Sequence, residues 1–326
     1  MTPSSTTRSA APPYHGKKGT MRGKLIALLA CALVVIGTAA VVVWAPWRTT
    51  APAKSVRYLG VYEADSPTSY AGVEQFAQAI GRQPNLVTYY SHWLDPFRTS
   101  FATSAAQHGA TTLVQIAPQN IQLTDITAGR YDPYLTAYAA NVKAFGKPVI
   151  LSFGHEMNGD WYSWGYKHNS PQAFIAAWRH IVSLFRAAGV TNVTWLWTVN
   201  IIGNDSPLTS DPASWWPGNS YVNMVGIDGY YYQSAENFAQ VFGPTIIDVR
   251  TFTHEPEIIA ETGASVAAGQ SAKINDLFSG IQTYGLLGFV WFDANDTTQG
   301  LNWRITSQAA LSQYRHDANA FMKPAP

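Results

Sequence analysis

The sequence predicts an eight-fold (β/α) TIM barrel preceded by a single N-terminal apolar helix. Three observations predict it. Eight short apolar runs alternate with helical patterns after residue 55, in a span close to the ~250 residues typical of that barrel. Polar residues gather just past the C-terminal end of each run, where such barrels carry their sites. The first run exits into Gly60-Val-Tyr-Glu-Ala-Asp, without the glycine-rich phosphate loop expected of an open doubly wound sheet.

The strand runs are 58–62, 86–90, 112–116, 148–153, 193–198, 224–228, 257–260 and 288–292. They have the length and β-branched content of buried strands. Helical patterns lie between them at 70–80, 133–145, 171–188, 235–242, 271–284 and 306–322. Ser170 ahead of Pro171 marks a helix start, and Gly189 marks its stop. Strands alternating with helices imply parallel pairing through right-handed crossovers. The strand exits then carry, in order, Glu63 and Asp65; His92 and Trp93; Gln119 and Asn120; His155 and Glu156; Asn200; Asp228 and Tyr230; Glu261; and Asp293 and Asn295.

Ahead of the barrel, residues 1–24 are rich in Ser, Thr and Pro and carry Lys17, Lys18, Arg22 and Lys24, a basic tail that cannot build a core. Residues 25–45 are apolar on every face, about the 20 residues a helix needs to cross a bilayer. They read as a membrane anchor, or a signal segment if cleaved; the run exceeds a usual signal core, which favours the anchor. The basic residues before it place the C-terminal domain outside the cell, membrane-bound or secreted. Residues 46–55 read as a linker, and 56–326 as the folded domain. Net charge is +1, which gives no footprint for nucleic acid. The only cysteine, Cys31, lies in the apolar run, so the folded domain has no intrachain disulfide. A monomer is expected.

Two carboxylates decide the chemistry. Glu156 follows Pro148-Val-Ile-Leu-Ser-Phe-Gly-His, and Glu261 follows Pro256-Glu-Ile-Ile-Ala. A carboxylate at the exit of a buried strand is costly unless it faces a cleft or has partners. Two of them at equivalent places suggest one shared site, and paired carboxylates cleave glycosidic bonds. The chain's 12 Trp and 17 Tyr exceed what core filling alone requires and suit stacking on sugar rings. His155-Glu156 also invites a zinc reading, but the metalloprotease pattern needs a second His where Gly159 stands. No metal or cofactor is expected.

The run Gly154-His-Glu-Met-Asn-Gly-Asp-Trp161, together with Ile259-Ala-Glu-Thr-Gly-Ala264, resembles glycoside hydrolase family 26, whose best-known members are β-mannanases. The resemblance spans about 56 to 322. It implies a (β/α)8 barrel and a retaining mechanism on a β-1,4-mannan-type polysaccharide, with β-glucan or xylan as alternative substrates. A non-catalytic, surface-anchored carbohydrate-binding protein on the same barrel is the competing reading, ranked behind because both carboxylates are present. It implies that Glu156 is the acid/base and Glu261 the nucleophile. It further implies that His155, Trp161, Tyr230 and Trp291 line the substrate site, with Tyr230 contacting Glu261 and Trp291 serving as the platform under the cleaved sugar. His92 and Trp93 stand where a substrate-binding histidine or aromatic is expected. Asn200 and Asp228 are read as supporting residues, Glu255 and Glu257 as structural ones.

Overall fold

The computed structural model describes residues 56–203, 210–296 and 300–323. The anchor expected at 25–45 lies outside them; among the described residues no helix is long and apolar enough to cross a membrane.

The described chain is a closed barrel of eight parallel strands in sequence order. The strands are β1 (Tyr58–Tyr62), β2 (Leu86–His92), β3 (Thr111–Ala117), β4 (Val149–Phe153), β5 (Val193–Asn200), β6 (Met224–Asp228), β7 (Glu257–Thr262) and β8 (Gly288–Phe292). All eight predicted runs are strands, and β8 pairs back onto β1 with Tyr58 opposite Gly288. The connecting helices are α1 (Ala71–Ile80), α2 (Thr99–Gln107), α3 (Leu123–Thr127), α4 (Asp132–Phe145), α5 (Pro171–Ala187), α6 (Phe238–Val241), α7 (Gly243–Phe252), α8 (Gln270–Tyr284) and α9 (Gln308–Phe321). A two-stranded ribbon, β9 (Asn295–Asp296) with β10 (Leu301–Asn302), follows β8.

Local chemistry explains the helix ends. Ser170 accepts from the Ala173 amide as the α5 N-cap, with Pro171 following it. Three helices escaped the sequence reading. α2 is rich in Ser and Thr, which compete for the backbone in isolation. α3 is too short to show a period. α7 opens on Gly243-Pro244, which reads as a break but serves as a first turn. The helix expected at 235–242 is only the single turn of α6, fixed by a reciprocal Asn237–Gln240 capping box.

Two packed layers result. Inside the barrel, Leu86, Leu113, Ile150, Leu196, Met224, Ile258, Ala260 and Val290 form a plug. Between barrel and helices lies a larger core that includes Trp164, Trp178, Trp197, Trp215 and Trp291. At the β8–β1 seam, Gly288 has φ +149, and a Cβ there would lie 1.9 Å from the Tyr58 carbonyl oxygen. Gly288→Ala is therefore expected to lower stability by about 2 kcal/mol or more, read as a fall in the thermal unfolding midpoint.

Candidate active site

The strand ends converge on a cleft of about 790 Å³ lined by residues of seven strand exits, among them Tyr62, Tyr90, Glu156, Asn200, Tyr230 and Glu261. Each carboxylate reaches it by a local irregularity. In β7, Ile258 and Ala260 face the barrel plug, so strict alternation would turn Glu261 outward. The register shifts on both flanks of this stretch, against β6 and against β8, and Glu261 comes to lie beside Asp228 and opens into the cleft. Re-aiming a side chain next to a site is a recurrent use of a bulge. Glu156 lies just past β4 with φ +52, a left-handed conformation that is uncommon for a side chain of its kind. Its amide donates to the Thr198 carbonyl at 2.9 Å, which ties this turn to β5.

The His-Glu-Met-Asn-Gly run explains itself in contacts. Met157 is buried. Asn158 pairs reciprocally with the backbone of Asn200, donating to its carbonyl at 2.8 Å and accepting from its amide at 2.9 Å. Asn200 in turn donates from Nδ2 to Oε1 of Glu156 at 2.7 Å. The Trp161 indole donates to Oε2 at 2.8 Å. A Cβ on Gly159 would lie 2.4 Å from the Trp161 ring, so the indole's path requires glycine there. Burial raises the Glu156 carboxyl above the usual range, and the Asn200 and Trp161 hydrogen bonds offset part of that.

Glu261 is held differently. The Tyr230 hydroxyl donates to its Oε1 and the Tyr90 hydroxyl to its Oε2, so donors from β2 and from the β6 exit fix both oxygens. Beside them, Asp228 is fully buried. Neither of its oxygens has a hydrogen-bond partner among the described residues, and burial followed by the Glu156 charge pushes its carboxyl well up.

Of the expected substrate contacts, Trp161 and Tyr230 line the cleft, and Trp161 is 55% exposed. His155 does not line it: the ring is buried behind Tyr162, with Nε2 3.2 Å from the Tyr162 hydroxyl, and burial pushes its imidazole down to about 3, so it is neutral. Trp291 does not reach the cleft either. It alternates outward on β8, is fully buried against Tyr314 of α9, and donates to the Trp303 carbonyl at 3.0 Å. The cleft wall there is built by Phe292, the next residue on β8, and by Trp303. Trp93 points away from the barrel into a cluster with Tyr131, Tyr134 and Phe153. His92 is exposed on the rim and outside the cleft lining. Sequence reasoning missed Tyr90, Tyr62, Tyr162, Tyr232, Phe292 and Trp303. The inward parity of Tyr62, Tyr90 and Phe292 on their strands was the usable signal.

Fold and site together define a (β/α)8 barrel with a paired-carboxylate cleft. The model of glycosyl hydrolase family 26 matches residues 74–310, and the chain belongs to that family. Endoglucanase H of Acetivibrio thermocellus is 32% identical over 281 residues, 80% of this chain and 30% of that protein. Mannan endo-1,4-β-mannosidase A and B of Caldalkalibacillus mannanilyticus is 29% identical over 93 residues, 26% of this chain and 17% of that protein. The chain thus spans under a third of the length of these relatives. A family 26 β-mannanase of Bacteroides ovatus superposes with a TM-score of 0.58 at 15% identity, over 82% of this chain and 87% of that one. The catalytic domain of a Bacillus endo-β-1,4-mannanase does so with 0.60 at 15%, over 82% and 86%. These two likenesses are of fold.

If two hydroxyls fix Glu261, removing either should leave a folded protein with a misaligned carboxylate. Tyr90→Phe and Tyr230→Phe are each expected to lower kcat on a glycan substrate by roughly 10- to 100-fold, with a thermal midpoint near that of the parent. A kcat equal to the parent's in both variants would show that the hydroxyls do not position it.

Proposed function

We propose that the domain is an endo-acting, retaining β-glycan hydrolase with Glu156 as acid/base and Glu261 as nucleophile. The observation that carries this is the different treatment of two carboxyls in one cleft. Glu156 is buried with its carboxyl raised, which suits a proton donor, whereas Glu261 accepts from two tyrosine hydroxyls, which suits an ionised nucleophile.

In the first step Glu261 attacks the anomeric carbon while Glu156 gives its proton to the glycosidic oxygen, and the C–O bond breaks. A glycosyl ester on Glu261 results. In the second step Glu156, now a carboxylate, takes a proton from water as that water attacks the same carbon and frees Glu261. Asn200 and Trp161 orient Glu156 in both steps. The exposed faces of Trp161 and Tyr232 extend the cleft beyond the carboxyl pair and suit the passage of a long chain.

The substrate proposed first is β-1,4-mannan. A β-glucan is the second reading, supported by the endoglucanase relative, whose match extends over far more of this chain than the mannosidase match does. Incubation of residues 53–326 with mannan, lichenan and xylan separates them. Oligosaccharide products are expected from one of the first two glycans, and none in the Glu261→Ala variant. Release from none of the three would overturn the reading. Because Glu156 acts protonated, kcat/KM is expected to fall as pH rises through its raised value.

The apolar run at 25–45 supports attachment of this domain to the outer face of a membrane. The full chain is expected in the membrane pellet and residues 53–326 in the supernatant; equal partition of the two would refute attachment.

A further inference from the structure

Beside the cleft, and taking no part in the chemistry above, two carboxyls meet at the β1 and β8 exits. Glu63 and Asp293 are 4% and 5% exposed and hydrogen-bond to each other through their side chains. Two carboxylates cannot share a hydrogen bond, so one of them carries the proton. Asp293 is the accepting partner. Its Oδ1 takes the Ile305 amide at 2.7 Å, and its Oδ2 lies 3.9 Å from Nε of Arg304. The proton therefore belongs to Glu63.

Between them, Asp293 and its neighbour Ala294 hold the segment 303–305 against the barrel, because the Trp303 amide donates to the Ala294 carbonyl at 3.1 Å. That segment delivers Trp303 to the cleft wall. The Trp303 ring lies 4.4 Å from that of Tyr230, whose hydroxyl donates to Glu261. A path thus runs from Glu63 through Asp293 to the Ile305 amide, along the backbone to Trp303, and through Tyr230 to the proposed nucleophile.

We propose that Glu63 and Asp293 form a proton-sharing pair that positions Trp303 and Tyr230, and that the loss of this one proton releases the cleft wall. The groups facing the pair are few. Asp65 follows Glu63 on the same exit, Arg304 comes from the segment itself, Tyr62 from β1 and Tyr314 from α9. On the α1 side the neighbour is Gly72, where a Cβ would lie 3.0 Å from that of Glu63. Among the described residues, Arg304 is thus the one cation facing the pair, and its side chain is 47% exposed. It offers weak relief to two adjacent carboxylates.

Burial, followed by the Asp293 charge, pushes Glu63 up to about 8. From the ordinary carboxylate range up to about 8, the folded chain keeps a proton that the unfolded chain has released. The pair's contribution to stability therefore falls as pH rises through that window, and the proton is gone above it.

The test is Glu63→Gln, whose amide still donates to Asp293 but cannot ionise. Thermal midpoints of the two proteins are followed from about pH 5 to about pH 10, and the gap is expected to widen in favour of the variant up to about pH 8 and then hold. The tryptophan emission that Trp303→Phe removes is expected to shift near that pH in the parent and to stay constant in Glu63→Gln. Should Glu63→Gln fail to fold, Asp293→Asn, which removes the partner charge and leaves burial, is expected to move the midpoint change and the emission shift to lower pH. Midpoints that run parallel at every pH, or a Trp303 emission shift that persists in the variant, would overturn the proposal. Because Glu261 is reached through this path, it rests on the hydrolytic reading only for its effect on activity. There, Glu63→Gln is expected to retain more activity than the parent above about pH 8, beyond whatever decline Glu156 itself sets. Both optical readouts are independent of hydrolysis, so an inactive parent would count against the hydrolase reading alone.

Discussion

Closing eight parallel strands into a barrel brings eight C-terminal ends to one rim, and in this chain that rim carries carboxyls from five of them. Removing a carboxylate from water is expensive, so each must be neutralised, hydrogen-bonded or left facing the cleft. The way each meets that demand separates their roles. Glu261 accepts from two tyrosine hydroxyls, one on each oxygen. Glu156 accepts from an amide and an indole yet stays raised by burial. Asp228 has no partner among the described residues and is pushed to the neutral form. Glu63 and Asp293 answer it jointly, by sharing a proton.

Tryptophan obeys the same geometry in apolar terms. Trp178, Trp197, Trp215 and Trp291 are fully buried and knit the helices to the barrel, while Trp161 lies across Gly159 with an exposed face. Trp164 stacks on Tyr162 at 4.2 Å and donates to the His155 carbonyl at 2.7 Å, so it is a strut under the loop of the proposed acid. High tryptophan content therefore reflects two demands: a thick layer between helices and barrel, and a few flat surfaces at the rim.

Much of the fold was legible because its signals are local. Eight apolar runs bounded by turn residues, with Ser170-Pro171 and Gly189 as punctuation, needed no tertiary information. The helices that escaped, α2, α3 and α7, form because the barrel offers them a surface to pack on, which their own composition does not announce. The candidate site was legible where a motif is contiguous: Glu156, Asn158 and Trp161 lie within six residues and contact one another through Asn200 or directly.

By itself, the sequence determined the barrel, the strand order and the strands whose ends carry Glu156 and Glu261, because periodicity and turn chemistry act over a few residues. Only the tertiary structure decided which aromatic ring reaches the cleft. Parity along β8 sends Trp291 outward and leaves Phe292 and Trp303 to form the wall, and the irregular pairing of β7 turns Glu261 inward against its expected parity. The partners of Glu261 were likewise decided at that level. Tyr90 is separated from it by 171 residues and meets it only because β2 and β7 lie across one closed rim.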